Sequence, residues 1–144
     1  LHDPWLLGGH CIYHFDCDYW KTLCHDCPYL KSPFPLKKDN SALNFALKKE
    51  AIQNSNIDFI VASKWMYDKV SKSPILKNKR IHLVPYGIDG QIFNPGNKIL
   101  AKKRLGIDCS SLTILYRCVY NEYKGIDYIN YVLKNIKTNK RILL

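Results

Sequence analysis

Four of the six cysteines stand near the start of the chain as Cys11-x5-Cys17-x6-Cys24-x2-Cys27, whereas Cys109 and Cys118 lie far downstream. A Cys-x2-Cys pair sets two thiols on one turn and suits tetrahedral zinc, with Cys11 and Cys17 as the other two ligands and His10, His14 or His25 as substitutes. The spacing is not that of a standard zinc finger. Free or pairwise-oxidised thiols therefore stand beside structural zinc as readings of this cluster, and either would brace the loop rather than act as a nucleophile. Cys109 and Cys118, without motif partners, read as small buried hydrophobes. Two cations sit where chemistry on an anion is favoured: Arg117 at the carboxyl end of an apolar β run and Lys124 just before a helix, the places where open α/β sheets bind ligands. Ordinary surface charge is the plain alternative for both. Ser63, between a strand and a helix, suits an N-cap first and a phosphate donor second.

These residues need a scaffold, and the apolar periodicity supplies one. Residues 1–35 are rich in Cys, His, Asp and aromatics without a sustained period, which predicts a compact loop region with one short helix starting near Asp16. Trp5, Tyr13, Phe15, Tyr19 and Trp20 are suited to stacking on sugar rings, with core packing around the cysteines as the simpler role. Ser41 to Ser55 predicts an amphipathic helix using Ala42, Phe45, Ala46, Lys49 and Ile52, capped by Asp39 or Asn40. Residues 57–62 are short, β-branched and nearly all apolar, the pattern of a strand buried on both faces in a parallel sheet. A helix follows over Lys64 to Ser71, then a strand over Arg80 to Val84 and a turn in which Gly87 can take positive φ.

Asp89 to Asn97 carries two glycines and a proline with little periodicity and marks a domain boundary. A basic helix over Lys98 to Leu105 closed by Gly106, a strand over Thr113 to Cys118, a helix over Gly125 to Lys137 and a strand from Arg141 predict a second βαβ unit. The domains expected are 1–90 with its Cys-rich loop 8–35, a linker 91–97, and 98–144.

The chain has 144 residues, 47% of them hydrophobic and 12% aromatic, enough for a packed core. No apolar run approaches the roughly 20 residues of a membrane-spanning helix. A net charge of +10, from 22 Lys plus Arg against 12 Asp plus Glu, favours anionic partners. Lys37, Lys38, Lys48, Lys49, Lys102 and Lys103 read either as a solvated surface or as part of such a face. No nucleic-acid module accompanies the charge, so nucleic acid is not expected as a partner. The first residue is Leu and the last residues read as a strand in mid-run, so the chain is expected to be an internal fragment of a longer protein, inactive alone. A reducing, cytoplasmic compartment is expected from the cysteines, with lysines able to meet the inner face of a membrane.

Four signatures in chain order resemble glycosyltransferase family 4. His2-Asp3-Pro-Trp5 resembles its His-Asp segment, and Ile60-Val-Ala-Ser63-Lys64 its strand-to-helix segment. Val84-Pro-Tyr-Gly87-Ile-Asp89 with Phe93 and Pro95 resembles its interdomain hinge, and Arg117 with Lys124-Gly125 its donor-site pair. Gly8-Gly9-His10-Cys11 through Cys27-Pro28 is similar to a Cys-rich insertion of a branch acting on capsule, exopolysaccharide or colanic-acid-type polymers. The resemblance implies a GT-B enzyme with two Rossmann-like α/β domains. It implies retaining transfer of a sugar, hexosyl in type, from a nucleoside-diphosphate sugar to a glycan or lipid-linked acceptor, with no cofactor required for catalysis. By the same resemblance Arg117 and Lys124 bind the donor diphosphate, His2 lies near the reacting sugar, and Ser63, Gly87 and Asp89 belong to the hinge and cleft. The competing readings are a zinc-stabilised interaction module binding an acidic partner and a phosphorylase or epimerase sharing the two-domain fold.

Overall fold

A computed structural model describes residues 1–31, 34–116, 124–140 and 142–143, which fall into two compact units, Leu1–Ile88 and Asp89–Leu144. In the first, Asp3 caps a 3-10 turn over Pro4–Leu7 by accepting from Trp5 N at 2.9 Å. A loop with one further 3-10 turn, Tyr19–Lys21, leads to α1 (Ser41–Gln53). Then β1 (Phe59–Val61), α2 (Lys64–Val70) and β2 (Ile81–Leu83) form a βαβ unit, the strands parallel with Phe59 opposite Ile81 and Val61 opposite Leu83.

The core follows from side-chain alternation on the strand and i, i+4 spacing on the helix. Val61 points inward and is fully buried, whereas Ile60 points away and is 57% exposed. Met66 and Val70 share the buried face of α2 and pack with Leu7, Trp20, Phe45, Ile75 and Leu76. Each such side chain contributes about 1.5–3 kcal/mol when fully withdrawn from water. At the strand entrance, Arg80 Nε donates to both carboxylate oxygens of Asp58 at 3.0 and 3.1 Å, and His82 lies 3.6 Å from the same carboxylate. Arg80 thereby joins the two strands across their shared edge.

Several expectations are corrected here. The strand at 57–62 is buried on one face alone: α2 covers the side of this two-stranded sheet on which Val61 is buried, while Ile60 and its partner His82 on the other side are exposed, and Leu83, paired with Val61, is 45% exposed even on the covered side. On α1, Phe45 is buried and Ile52 half-buried, but Ala42 and Ala46 face solvent. Asp39 rather than Asn40 supplies the side-chain acceptor at its start, taking Ser41 N at 2.8 Å. The helix expected near Asp16 reduces to the three-residue turn at Tyr19–Lys21.

The second unit is again βαβ. In α3 (Lys98–Arg104), Asn97 Oδ1 accepts from Ile99 N and Leu100 N, both at 3.0 Å. Its far end closes as a Schellman motif: Ile107 N reaches Lys102 O at 2.8 Å, Gly106 N reaches Lys103 O at 3.2 Å, and Gly106 sits at φ 66°. β3 (Leu112–Thr113) pairs in parallel with β4 (Ile142–Leu143), and α4 (Ile126–Asn135) lies between them in sequence. Gly125, at φ 75°, takes the left-handed conformation just before α4. Gly87 does not: its φ lies outside the positive range that its turn was expected to need.

Candidate functional site

The first unit brings three sequence signatures to the carboxyl-end side of β1 and β2. Leu1 N donates to Ile60 O in β1 at 2.5 Å, and His2 is the next residue. His2 Nδ1 lies 2.8 Å from Tyr86 Oη, joining residues 84 positions apart. Tyr86 follows β2 by three residues and Ser63 follows β1 by two. Open α/β sheets bind ligands at that end of their strands. Tyr86 is the residue that motif reading passed over; its place between Pro85 and Gly87 was the available signal.

Ser63 Oγ accepts from Met66 N at 3.2 Å and so serves as the N-cap of α2. Gly87 has open space where a Cβ would stand. Asp89 opens the second unit and folds its own turn: Oδ1 accepts from Gln91 N at 2.9 Å, and its carbonyl from Phe93 N at 2.8 Å. Lys124 is exposed just before Gly125, and its carbonyl accepts from Tyr116 Oη at 3.0 Å. Arg117 and Cys118 lie outside the described residues. Cys109, expected to be buried, is exposed.

Beside the His2 segment runs an open groove of about 340 Å³ lined by Trp5, Gly9, His10, Leu36, Asn44, Leu47 and Lys48. Lys48 defines its character. Its Nζ stands 3.6 Å over the Trp5 ring and donates to Trp5 O at 2.7 Å and Gly8 O at 2.8 Å. Burial pushes its ammonium down to about 8, against the opposing pull of Cys24 and Cys11. An indole face, half exposed, beside an amide and an ammonium is a surface suited to a sugar ring and its hydroxyls. The solvated-surface reading of the lysines is thus corrected for Lys48, and also for Lys102, which is buried and donates to Cys109 O and Ser111 O at 3.3 and 2.5 Å.

The four clustered cysteines line one recess of about 10 Å³ together with His10, Tyr19, His25, Pro28 and Ser41. Cys11 Sγ and Cys27 Sγ are 3.9 Å apart, and Gly9 N donates to Cys24 Sγ at 3.3 Å. Burial and the neighbouring Cys27 push the Cys11 thiol up to about 12, and burial raises Cys24 too. Among the described residues no three His, Cys, Asp or Glu side chains already stand as a metal-holding group. Of the aromatics near the cysteines, Trp20 alone enters the core, stacked on His14 at 5.1 Å, while Tyr19 stacks on His25 at 4.5 Å. Among the described residues no helix is long and apolar enough to cross a membrane.

No protein-family model matches the chain, and no solved structure does. A 50-residue segment, 35% of the chain, is 38% identical to an Escherichia coli (strain K12) protein described as "Putative colanic acid biosynthesis glycosyl transferase WcaC", and it spans 12% of that protein's length.

Proposed function

We propose that this chain is part of a glycosyltransferase of polysaccharide biosynthesis, of GT-B architecture, which moves a sugar from a nucleoside-diphosphate sugar to a glycan or lipid-linked acceptor. The observation that carries the reading is the 50-residue similarity to a protein described as a colanic acid glycosyl transferase. The pairing of His2 with Tyr86 supports it, because the chain's two most separated signatures of the first unit meet at the ligand-binding end of a parallel sheet.

Transfer demands that the negative charge developing on the departing diphosphate be met by preorganised donors and cations. Arg117 and Lys124 are assigned that task. Lys124 lies one residue before the glycine that leads into α4, so the helix N-terminus adds its own partial positive charge to the ammonium. His2, held by Tyr86, orients an acceptor or sugar hydroxyl, and the Trp5 and Lys48 groove receives a ring of the acceptor glycan. The lysine excess also suits approach to an anionic membrane surface carrying a lipid-linked acceptor.

Transfer of labelled sugar from a panel of nucleoside-diphosphate sugars to lipid-linked and oligosaccharide acceptors, by the longer protein containing this chain, tests the assignment. Arg117→Ala and Lys124→Ala are each expected to cost about 100-fold or more in kcat, the scale of losing one donor to a developing anion. Full activity in both variants would remove the diphosphate assignment. Absence of transfer with every donor would remove the glycosyltransferase reading itself.

A further inference from the structure

We propose that Cys11, Cys17, Cys24 and Cys27 bind one zinc ion as four thiolates, forming a structural site that fixes the irregular loop between the first 3-10 turn and α1. The need for a staple is set by the chain itself. Between Leu7 and Ser41 the described residues carry no regular element beyond the turn at Tyr19–Lys21, and irregular loops that long are uncommon in a compact unit unless function or added anchoring retains them. Among the described residues of this loop, Trp20 is the side chain that enters the buried apolar core.

The Cys11–Cys27 separation fits zinc better than oxidation. At a Zn–S distance of about 2.3 Å, two ligands of a tetrahedral site stand about 3.8 Å apart. The Cys11 and Cys27 sulfurs are 3.9 Å apart, whereas a disulfide requires about 2.05 Å. All four cysteines line one recess with room for about one small sphere, too small for an organic ligand and adequate for an ion. Among the described residues the side chains do not yet form a closed coordination set, so binding requires the four cysteines to close on the ion and is coupled to ordering of the loop.

The surroundings complete the site. The chain reverses between Cys24 and Cys27 with Asp26 at φ 40°, a conformation that non-glycine residues seldom adopt. Gly9 N–H already points at Cys24 Sγ, the backbone-to-sulfur bond that stabilises a thiolate ligand, and Asp39 holds the backbone N–H of Cys27 at 2.6 Å. Four thiols release four protons to solvent on binding a dication, leaving a net charge of about −2. The ammonium of Lys48 acts on both Cys24 and Cys11 and offsets part of it. His14, stacked on Trp20, is not among the residues that line the cysteine recess. His25 gives one ring nitrogen to Asp26 at 3.2 Å and serves less well than a thiolate.

Reduced protein is titrated with cobalt(II) as a spectroscopic probe and then with zinc, and each cysteine is scored for alkylation by peptide mass spectrometry with and without zinc. The expected results are a tetrahedral thiolate cobalt spectrum displaced by zinc at about one ion per chain, and protection of Cys11, Cys17, Cys24 and Cys27 while Cys109 stays reactive. This readout uses the native sequence, so it does not depend on variants that fail to fold. Cys27→Ser is expected to lose the cobalt spectrum, and Cys109→Ser to keep it. Uptake of neither metal by fully reduced protein, or alkylation of the four cysteines unchanged by zinc, would overturn the site. The site stands whether or not sugar transfer is found, so its failure and that of the transferase are separately visible.

Discussion

His14 is the residue whose environment most directly sets a pH dependence. Its side chain is 4% exposed, neither ring nitrogen has a hydrogen-bond partner among the described residues, and burial, reinforced by Lys69 and Lys48, holds its pKa down at about 4. The unfolded chain binds a proton near pH 6.5 that the folded chain refuses, so stability is full above that value and falls as pH drops toward about 4. The total loss is about 3 kcal/mol at about 1.4 kcal/mol per pKa unit. Denaturant unfolding of wild type and His14→Phe, compared at about pH 7.5 and about pH 4.5, should show the wild type losing more stability on acidification. Parallel losses would mean that His14 titrates normally, and any acid loss of metal is common to both proteins. Gly9 carries a steric constraint of its own: an added Cβ would stand 2.0 Å from Ser41 O. Gly9→Ala should therefore cost about 1–3 kcal/mol in thermal unfolding, against little for Gly90→Ala, where nothing lies within 4 Å. Neither constraint was legible in sequence. Lys48 makes the same point, because its burial depends on Trp5 and Gly8, 43 and 40 residues away, which charge composition does not reveal.

At the scale of elements, sequence and structure agree most closely where a local signal suffices. The Ser63 cap and the Gly106 stop follow from short-range chemistry, whereas the strand expected over Thr113 to Cys118 shortens to Leu112–Thr113 among the described residues. What sequence did not reveal is which face each element buries, since that depends on what packs opposite, as the exposed Ile60 shows. Ser63 separates two roles by substitution. As an N-cap its loss to Ala should cost about 0.5–2 kcal/mol, while Ser63→Asp should restore stability because a carboxylate also accepts from Met66 N. An Asp variant as unstable as the Ala variant would show that Ser63 does something other than cap. The β1–β2 edge carries its own pH signature. Arg80 holds the Asp58 carboxyl below the ordinary carboxylate value, so this pairing contributes above about pH 4 and is lost as pH falls through the depressed folded value. Because the pair is exposed, Asp58→Asn should lower the thermal midpoint slightly at neutral pH, and the difference should vanish in strong acid.

On the scale of the whole molecule, apolar burial is unevenly divided. Every buried hydrophobic residue among those described belongs to the first unit: Leu7, Trp20, Phe45, Val61, Met66, Val70, Ile75 and Leu76. In the second unit the buried residues are Lys102 and Ser111, α4 buries none, and Ile99, Leu100, Leu105, Leu115, Tyr128 and Val132 are exposed. Backbone ordering costs about 1–2 kcal/mol per residue, and hydrophobic burial is the main term that offsets it. The second unit therefore holds its βαβ form with helix caps and strand pairing but without an apolar centre, whereas the first has both. Hydrogen exchange on this chain should show slow amides in α1, α2 and β1 and much faster exchange in α3 and α4, with limited proteolysis cutting first beyond Ile88. A longer protein that supplies further strands and helices against α4 should slow exchange in the second unit by orders of magnitude while leaving α1 and α2 nearly unchanged. Equal protection of both units in the chain alone would mean that the second unit is stabilised by something other than buried apolar surface.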